Sequence, residues 1–408
     1  MQSVFNYING GVTAPVGFTA SGMHCGIRKN QSKKDLALIF ADRMCSAAAV
    51  YTTNLVKGAP IAVTRKNIAN GKARAVICNS GNANTCNADG EQKAWEMCSI
   101  AAKRLSISPE DVIVASTGVI GQVLPIEPIE NSADELVSLL SDKGSRDAAE
   151  AIMTTDTRVK EVAVCGELGG KTFKIGAIAK GSGMIHPNMA TMLCFITTDA
   201  AISADMLTLA LERAVKVSFN MISVDGDTST NDMVSILASG AAQNDEITEE
   251  GEDFALFYAA LESICKKIAK EMARDGEGAT KLVVCAVDGA IDEENAKIIA
   301  KSVICSTLLK AAMFGADANW GRVLCAIGYS GAQCNVNAVD VSFASKTGRI
   351  DVCKNGAGIA FSEEIAKQVL LDDEITIEIK LYEGNGYAEA YGCDLTYDYV
   401  KINGDYRT

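Results

Sequence analysis

The chain has 408 residues, of which 48% are hydrophobic, and it carries 38 basic against 51 acidic side chains. This length provides core for two or three domains, or for one large layered unit. The formal net charge of −13 argues against nucleic acid as a partner, because binding phosphates requires a basic face.

The N-terminus predicts neither export nor membrane insertion. Residues 1–18 contain no basic segment followed by an apolar core. No apolar run approaches the roughly 20 residues that cross a bilayer. We therefore expect a soluble, cytoplasmic protein that does not contact a membrane.

Fourteen cysteines raise the question of a metal site or of disulfides. No Cys-x-x-Cys pair occurs, the nearest two being Cys78 and Cys86, and two histidines are too few for zinc-ligand spacings. Some cysteines lie in apolar runs, such as those around Cys285 and Cys325, where the thiol acts as a small buried hydrophobe. We expect reduced core thiols and no bound metal.

Strands and one helix follow one another in the first third of the chain. Apolar runs predict strands at 35–40, 47–53, 75–78 and 112–115, and helical spacing predicts a helix over 91–105. Between them, Asn79–Asn84 reads N-S-G-N-A-N, which is typical of a turn with positive φ.

The strand at 112–115 ends in Ser116–Gly121, with the sequence S-T-G-V-I-G. A hydroxyl beside a glycine N–H, just beyond a strand, is suited to stabilise a developing oxyanion. An ordinary strand-to-loop turn explains the same residues. A helical stretch around 132–140 follows, and then a polar turn, M-T-T-D-T, at 153–157.

A glycine-rich segment, Lys180–Leu193, connects two further predicted strands and reads K-G-S-G-M-I-H-P-N-M-A-T-M-L. Alternating apolar residues at 173–179 precede it, and a continuous apolar run at 192–196 follows. Most such segments are simply loops. The glycines do not form a dinucleotide site, because G-x-G-x-x-G would need glycine where His186 stands.

The second half of the chain predicts helices from Ser203 to Val215 and from Leu256 to Met272, with an acidic loop at 243–253. The acidic run at 224–232 is no EF-hand, because its sixth position is Thr230 and its twelfth is Ile236. A turn with Asx caps is the better interpretation.

Several of these motifs together resemble the glutamate N-acetyltransferase/ornithine acetyltransferase family of arginine biosynthesis. The resemblance extends over nearly the whole chain. It rests on Lys180–Leu193 and on the runs N-S-G-N-A-N (79–84), S-T-G-V-I-G (116–121), M-T-T-D-T (153–157), D-G-E-G-A-T-K (275–281) and G-A-D-A-N-W-G-R (315–322).

The resemblance implies an α/β fold: a layered αββα-type sandwich of paired sheets flanked by helices, with a smaller α/β region. It also implies self-cleavage between Ala190 and Thr191. The fragments would be an α chain, 1–190, and a β chain, 191–408, assembled as two α and two β chains. The reaction implied is acetyl transfer from N-acetylornithine to glutamate through acetyl-Thr191.

Roles for individual residues follow from the same resemblance. Thr191 corresponds to the nucleophile, and Thr117 and Gly118 to the oxyanion-hole donors. The substrate-binding residues correspond to Thr154, Lys180, Thr191, Glu277, Asn403 and Thr408. On chemical grounds Lys180 suits a substrate carboxylate and Glu277 suits the amine of ornithine. No cofactor is implied, and acetyl-CoA remains open as a second acetyl donor.

A Ser-His-Asp triad is disfavoured because only His24 and His186 exist to serve as the base. An N-terminal threonine needs no histidine, since its α-amine has a reference pKa near 8 and is partly neutral at physiological pH. His186 could assist cleavage or order the loop. Two alternatives remain: a self-processing aminopeptidase of related fold, and an uncleaved pseudoenzyme that binds amino acids.

Overall fold

The computed structural model describes residues 5–186 and 192–404. Three residues with predicted roles, Ala190, Thr191 and Thr408, lie outside these ranges. Within them, the strands are β1 (Phe5–Ile8), β2 (Phe18–Met23), β3 (Leu36–Tyr51), β4 (Lys72–Asn79), β5 (Val112–Ser116), β6 (Lys160–Leu168), β7 (Lys171–Lys180), β8 (Leu193–Thr198), β9 (Ile222–Ser223), β10 (Met233–Ala238), β11 (Leu282–Ala290), β12 (Asp340–Ser345), β13 (Gly348–Lys354), β14 (Ala357–Gly358), β15 (Glu374–Lys380) and β16 (Gly386–Cys393).

The α-helices of the same ranges are α1 (Ala59–Asn67), α2 (Gly90–Leu105), α3 (Glu127–Ser138), α4 (Ser145–Ile152), α5 (Ala204–Lys216), α6 (Glu252–Arg274), α7 (Glu293–Cys305), α8 (Thr307–Phe314), α9 (Trp320–Gly328), α10 (Glu363–Leu370) and α11 (Tyr397–Gly404). The predicted strands at 75–78, 112–115, 173–179 and 192–196 are confirmed as β4, β5, β7 and β8. The helices predicted from periodicity are confirmed as α2, α3, α5 and α6.

The larger of two compact units comprises, among the described residues, 5–181, 192–216 and 228–268. Its sheet has the order β1-β6-β7-β8-β10-β3-β4-β5, and β2 also pairs with β3. The pairs β8–β10 and β4–β5 are parallel. Strand β8 reads L-C-F-I-T-T and is buried at every position, as expected for a strand covered on both faces.

Strand β3 corrects one prediction, because 35–40 and 47–53 belong to one strand of 16 residues. Its first part pairs with β2 and β4, and its second part pairs with β10. Asp42–Met44 are exposed where the register with β4 shifts. This irregularity contains the polar residues that resembled a break between strands.

Side chains of the larger sheet enter two hydrophobic cores. Val76 of β4 belongs to the same buried cluster as Ile178 of β7 and Phe195 of β8. The next residue on β4, Ile77, points to the opposite face and belongs to the cluster that contains Met97 of α2. Strand β4 therefore packs against α2 on one face, and on the other it enters a core that it shares with β7, β8 and α4.

Helix α6 covers the outer face of β7. The rings of Phe173 on β7 and Phe257 on α6 lie 6.1 Å apart. The predicted layered α/β fold of sheets and helices is confirmed.

The smaller unit comprises, among the described residues, 182–186, 217–227 and 269–404. Its sheet has the order β14-β13-β12-β15-β11-β16-β9. Strand β15, E-I-T-I-E-I-K, alternates between buried and more exposed positions, which indicates one packed face. Helix α7 packs against β11 and β16, and α10 packs against β12 and β13. This unit is the predicted smaller α/β region.

In the described ranges, which include all fourteen cysteines, no disulfide bond forms. Those ranges contain no cluster of three or more His, Cys, Asp and Glu side chains arranged to hold a metal ion. They also contain no helix that is both long and apolar enough to span a membrane.

Candidate active site

The sheet register of the larger unit aligns the residues on both sides of the predicted cleavage position. Lys180, the last residue of β7, pairs with Leu193 of β8, and Leu193 pairs with Met233 of β10. The Met233 N–H donates to the Met192 carbonyl at 2.9 Å. Lys180 is only 8% exposed. The end of β7 and the starts of β8 and β10 therefore lie side by side at one edge of the sheet. Met192, which directly follows Thr191, lies at this edge.

A buried carboxyl group that we did not predict, Asp232, lies at this same edge, directly before Met233. Burial raises the pKa of Asp232 well above its ordinary value. Among the described residues, its Oδ2 has no hydrogen-bond partner. The run T-S-T-N-D (228–232) predicts only a turn, since nothing in its spacing indicates a buried acid.

Asn231 connects this edge to the predicted oxyanion-hole residues. Its Nδ2 donates to the carbonyls of Ala83 and Ser116 at 2.6 and 2.9 Å. Its Oδ1 accepts from the hydroxyl of Thr85 at 2.6 Å. The end of β5, where Thr117 begins, is therefore held against the start of β10. The structure brings Thr117 and the Lys180 edge into one region of the same unit.

Thr117 and Gly118 lie half-buried just beyond β5. The Thr117 N–H donates to the Asn79 carbonyl at 2.9 Å. Within the described ranges, neither the Thr117 hydroxyl nor the Gly118 N–H has a hydrogen-bond partner. Two partly exposed donors without partners, side by side, are what an oxyanion hole requires.

Gly118 must be glycine for two reasons. Its φ is +129°, a region that side chains rarely adopt. A Cβ at this position would also lie 2.7 Å from the Gly81 carbonyl carbon and 2.8 Å from the Asn82 nitrogen. The backbone of the Asn-rich turn is thus in direct contact with the predicted oxyanion donor.

The Asn-rich turn is held rigid by its own side chains. Asn79 Oδ1 accepts from the N–H groups of Gly81 and Asn82 at 3.2 and 3.0 Å. Asn82 Nδ2 donates to the Gln122 carbonyl at 3.0 Å. The sequence indicated a turn with no assigned role, and the structure shows that it supports Gly118.

Thr154 lies in the loop between α4 and β6 and is half-buried. Its N–H donates to Asp156 Oδ2 at 2.9 Å. The other oxygen of Asp156 accepts from the N–H of Gly181, the residue after Lys180, at 2.7 Å. Asp156 therefore joins the Thr154 loop to the end of β7.

In the smaller unit, the structure brings Glu277 and Asn403 together. Asn403 Nδ2 donates to Glu277 Oε2 at 2.8 Å. Helix α11, which carries Asn403, is anchored because the Thr396 hydroxyl donates to the Gly278 carbonyl at 2.7 Å. Residues 397–404 form this helix.

The residues that precede the predicted cleavage position are fixed within the smaller unit at several points. The Glu277 N–H donates to the Ser182 carbonyl at 2.9 Å. The N–H groups of Met184 and Ile185 donate to the two oxygens of Asp225 at 2.6 and 2.8 Å. The acidic turn at 224–232, interpreted as Asx-capped, thus uses its first carboxylate to bind this loop.

His186 ends the described part of that loop. Its Nδ1 lies 3.1 Å from the Ser223 hydroxyl and 3.5 Å from Cys305 Sγ. Burial and the nearby ammonium of Lys301 lower the pKa of His186 to about 4. The imidazole is therefore neutral at physiological pH, and its contacts connect this loop to β9 and α7 of the same unit.

Comparison with known proteins places these residues in context. Residues 19–408 match the ArgJ family. The arginine biosynthesis bifunctional protein ArgJ 1 of Clostridium acetobutylicum is 50% identical over 392 residues, covering 96% of each chain. ArgJ of Symbiobacterium thermophilum is 52% identical over 404 residues, which is 98% of this chain and 100% of the relative.

Among solved structures, the ornithine acetyltransferase of Mycobacterium tuberculosis, in complex with ornithine, is 35% identical. The match covers 46% of this chain and 100% of the other, with a TM-score of 0.43.

Proposed function

The chain belongs to the ArgJ family, and from this premise we propose that it transfers the acetyl group of N-acetyl-L-ornithine to L-glutamate through an ester on Thr191. It is an acetyltransferase of arginine biosynthesis. The observation that carries this assignment is identity of about half its residues with curated ArgJ proteins over nearly their full length. We place the reaction in the cytoplasm.

The first step is self-cleavage. The Thr191 hydroxyl attacks the Ala190 carbonyl, the C–N bond breaks as the threonine nitrogen takes a proton, and water hydrolyses the resulting ester. The products are residues 1–190 and 191–408. The anchored loop at 182–186 and the buried strand β8 support this step, since they fix the chain on both sides of the junction.

The freed α-amine then acts as the base for the same hydroxyl. Its reference pKa near 8 leaves a useful neutral fraction at physiological pH. The Thr191 oxygen attacks the acetyl carbonyl of N-acetylornithine, and ornithine leaves with a proton on its amine. The glutamate amine then attacks the acetyl ester, which gives N-acetylglutamate and regenerates the threonine.

Both transfers pass through a tetrahedral oxyanion, and we assign its stabilisation to the Thr117 hydroxyl and the Gly118 N–H. Their lack of partners among the described residues supports this role. One such donor is worth about 3–4 kcal/mol in other enzymes.

The substrates are amino acids, so their charges indicate where each group binds. We assign the substrate carboxylate to the ammonium of Lys180 and the amine of ornithine to Glu277. Asn403, which bonds to Glu277, orients that carboxylate. Thr154 and Thr408 complete the proposed contacts, and Thr408 lies outside the described residues.

We further propose acetyl-CoA as an alternative acetyl donor, because the curated relatives are bifunctional proteins. It is a substrate here, and the mechanism uses no cofactor. The assembly we propose is two α and two β chains.

The test combines intact mass under denaturing conditions with activity assays on one sample. Two fragments, and acetylglutamate formed from N-acetylornithine and glutamate, are the expected results. Acetyl-CoA replaces N-acetylornithine in a second assay. Hydrolysis of aminoacyl amides without transfer would indicate the aminopeptidase, and binding of ornithine without either reaction would indicate the pseudoenzyme.

A further inference from the structure

A single buried carboxylate, Asp156, joins the loop before β6 and the start of β6 to the end of β7. Its Oδ1 accepts from the Lys160 ammonium at 2.7 Å and from the Gly181 N–H at 2.7 Å. Its Oδ2 accepts from the Thr154 N–H at 2.9 Å. Two of these donors belong to or directly follow residues with proposed substrate contacts, Thr154 and Lys180.

The contacts lie where the sheet no longer holds these segments together. Lys160, the first residue of β6, pairs with Ala179 of β7, and Lys180 is already paired with β8 on its other side. Beyond Ala179 the β6–β7 ladder ends. Asp156 therefore makes the cross-connection that the backbone ladder no longer provides.

The carboxylate is ionised and has little freedom to move. The side chains of Lys160 and Asp156 are 1% and 0% exposed. Burial by itself would raise the pKa of Asp156, but the ammonium groups of Lys160 and Lys180 outweigh it and lower the pKa to about 2. A buried carboxylate whose two oxygens both accept hydrogen bonds, one of them from an ammonium, holds its donors in fixed positions.

We infer that Asp156 is a positioning residue for acetyl transfer, holding the Thr154 loop and the Lys180 end of β7 at a fixed separation. This inference rests on the proposed function, because it concerns the substrate contacts assigned to Thr154 and Lys180. Asp156 acts through those residues and not on the substrate itself. Small displacements of substrate-positioning groups cost large factors in rate.

Asp156→Asn is the informative substitution because it keeps the size of the side chain. An amide has one oxygen, so its NH₂ must face either the Thr154 N–H or the donors from Lys160 and Gly181. Two hydrogen-bond donors then face each other, so the connection either to Thr154 or to Lys160 and Gly181 is lost. The Lys160 ammonium also loses the negative charge of Asp156, which destabilises the fold.

Asp199 provides a matched control for that structural damage. It is 2% exposed, and its two oxygens accept from the N–H groups of Val16 and Lys174 at 2.9 and 2.7 Å. Lys174 lies on β7, six residues from Lys180 towards the other end of the strand. Asp199→Asn therefore breaks a similar buried joint of the same sheet, away from the proposed substrate contacts.

A double variant also removes the buried positive charge of Lys160. Asp156→Asn with Lys160→Met eliminates the buried ammonium that the single variant leaves without its carboxylate. It should recover much of the lost melting temperature without restoring the connection between Thr154 and Gly181. If Asp156 positions substrate, the double variant therefore regains melting temperature but not activity.

The experiment measures five quantities on each full-length protein: melting temperature, self-cleavage by mass, kcat and KM for both substrates, and the Kd for ornithine by calorimetry. We expect both single variants to lose a few degrees of melting temperature. Only Asp156→Asn and the double variant should lose about 10²-fold in kcat/KM. Ornithine binding should weaken in the same two proteins.

Three outcomes would overturn the inference: transfer within twofold of wild type in Asp156→Asn, an equal loss in Asp199→Asn, or full kinetic recovery in the double variant. Failure of the proposed function appears separately, as wild-type protein that forms no acetylglutamate. In that case ornithine binding still tests Asp156, since an unchanged Kd in Asp156→Asn would refute its role.

Discussion

At the scale of single residues, Thr117 allows catalysis and stability to be separated. Within the described ranges its hydroxyl has no partner, so removing it leaves no buried group unsatisfied. Thr117→Ala should therefore lower kcat by about 10²–10³-fold while the melting temperature stays nearly unchanged. Thr117→Ser, which keeps the hydroxyl, is the control and should retain most of the rate. A normal kcat in the alanine variant would remove Thr117 from the oxyanion role.

Thr191 is tested by mass alone. Thr191→Ala should remain one polypeptide of 408 residues, whereas the wild type should give fragments of 190 and 218 residues (408 − 190 = 218). The reason is that alanine has no oxygen to attack the preceding carbonyl. Thr191→Ser should still cleave, because its hydroxyl remains. Fragments from the alanine variant would show that another residue is the nucleophile.

His186 predicts a dependence of stability on pH. Its pKa is lowered from 6.5 to about 4, first by burial and then by Lys301, while Asp227 opposes the shift. Between these values the unfolded chain binds a proton that the folded protein does not. The stabilisation is thus complete above pH 6.5 and declines as the pH falls towards 4.

His186→Asn cannot titrate, so its free energy of unfolding should fall less than that of wild type between pH 7 and pH 4.5. Urea unfolding at several pH values measures this difference. Identical pH profiles for wild type and His186→Asn would refute the assignment.

At the scale of elements, α11 separates processing from transfer. Asn403 bonds to Glu277, but self-cleavage needs only the loop, Thr191 and an oxyanion site. A chain stopped after Ile402 should therefore cleave normally and lose acetyl exchange. A chain stopped after Arg407 keeps Asn403 and lacks only Thr408, so it reports on Thr408 alone. Intact mass measures cleavage, and the formation of acetylglutamate measures transfer.

The competing view treats the end of the chain as dispensable. Normal transfer by the protein that ends at Ile402 would support that view and leave the assignment of Thr191 untouched. Asn403→Ala in the full-length chain is the matched point variant. It should reproduce the loss if the Glu277 contact is responsible.

At the scale of the whole molecule, the proposed cleavage does not separate the sheet. Strand β7 belongs to the first fragment and β8 to the second, and they pair from Ile175–Thr198 to Lys180–Leu193. Strand β10, also from the second fragment, pairs with β3 from the first. Two ladders and a shared core thus join the fragments.

We expect the fragments to elute together in size exclusion under native conditions and to separate only in denaturant. Exchange of main-chain hydrogen bonds in a buried sheet for water would require unfolding of the larger unit. Thr191→Ala, uncleaved, provides the reference elution volume. Separation of the fragments in native buffer would contradict this sheet pairing.

The sequence alone was sufficient for the local elements and for the family. Helices α2, α5 and α6 and strands β7 and β8 could be predicted because their periodicity lies within a few consecutive residues. The motifs around Thr117, Lys180 and Glu277 could be recognised because each is a short contiguous run. Chemistry that is carried by adjacent residues is visible without a structure.

Only the tertiary structure decided how distant residues combine. Asn403 and Glu277 lie 126 residues apart, and Asn231 and Ser116 lie 115 apart, so no local pattern relates them. Asp156 looked like part of a polar turn, and its role became visible only where it bonds to Gly181. Strand β3 looked interrupted because polar residues lie at its register irregularity, and only its pairing with β2, β4 and β10 shows one continuous strand. Such contacts depend on packing and burial, which are properties of the folded sheet and not of any segment taken alone.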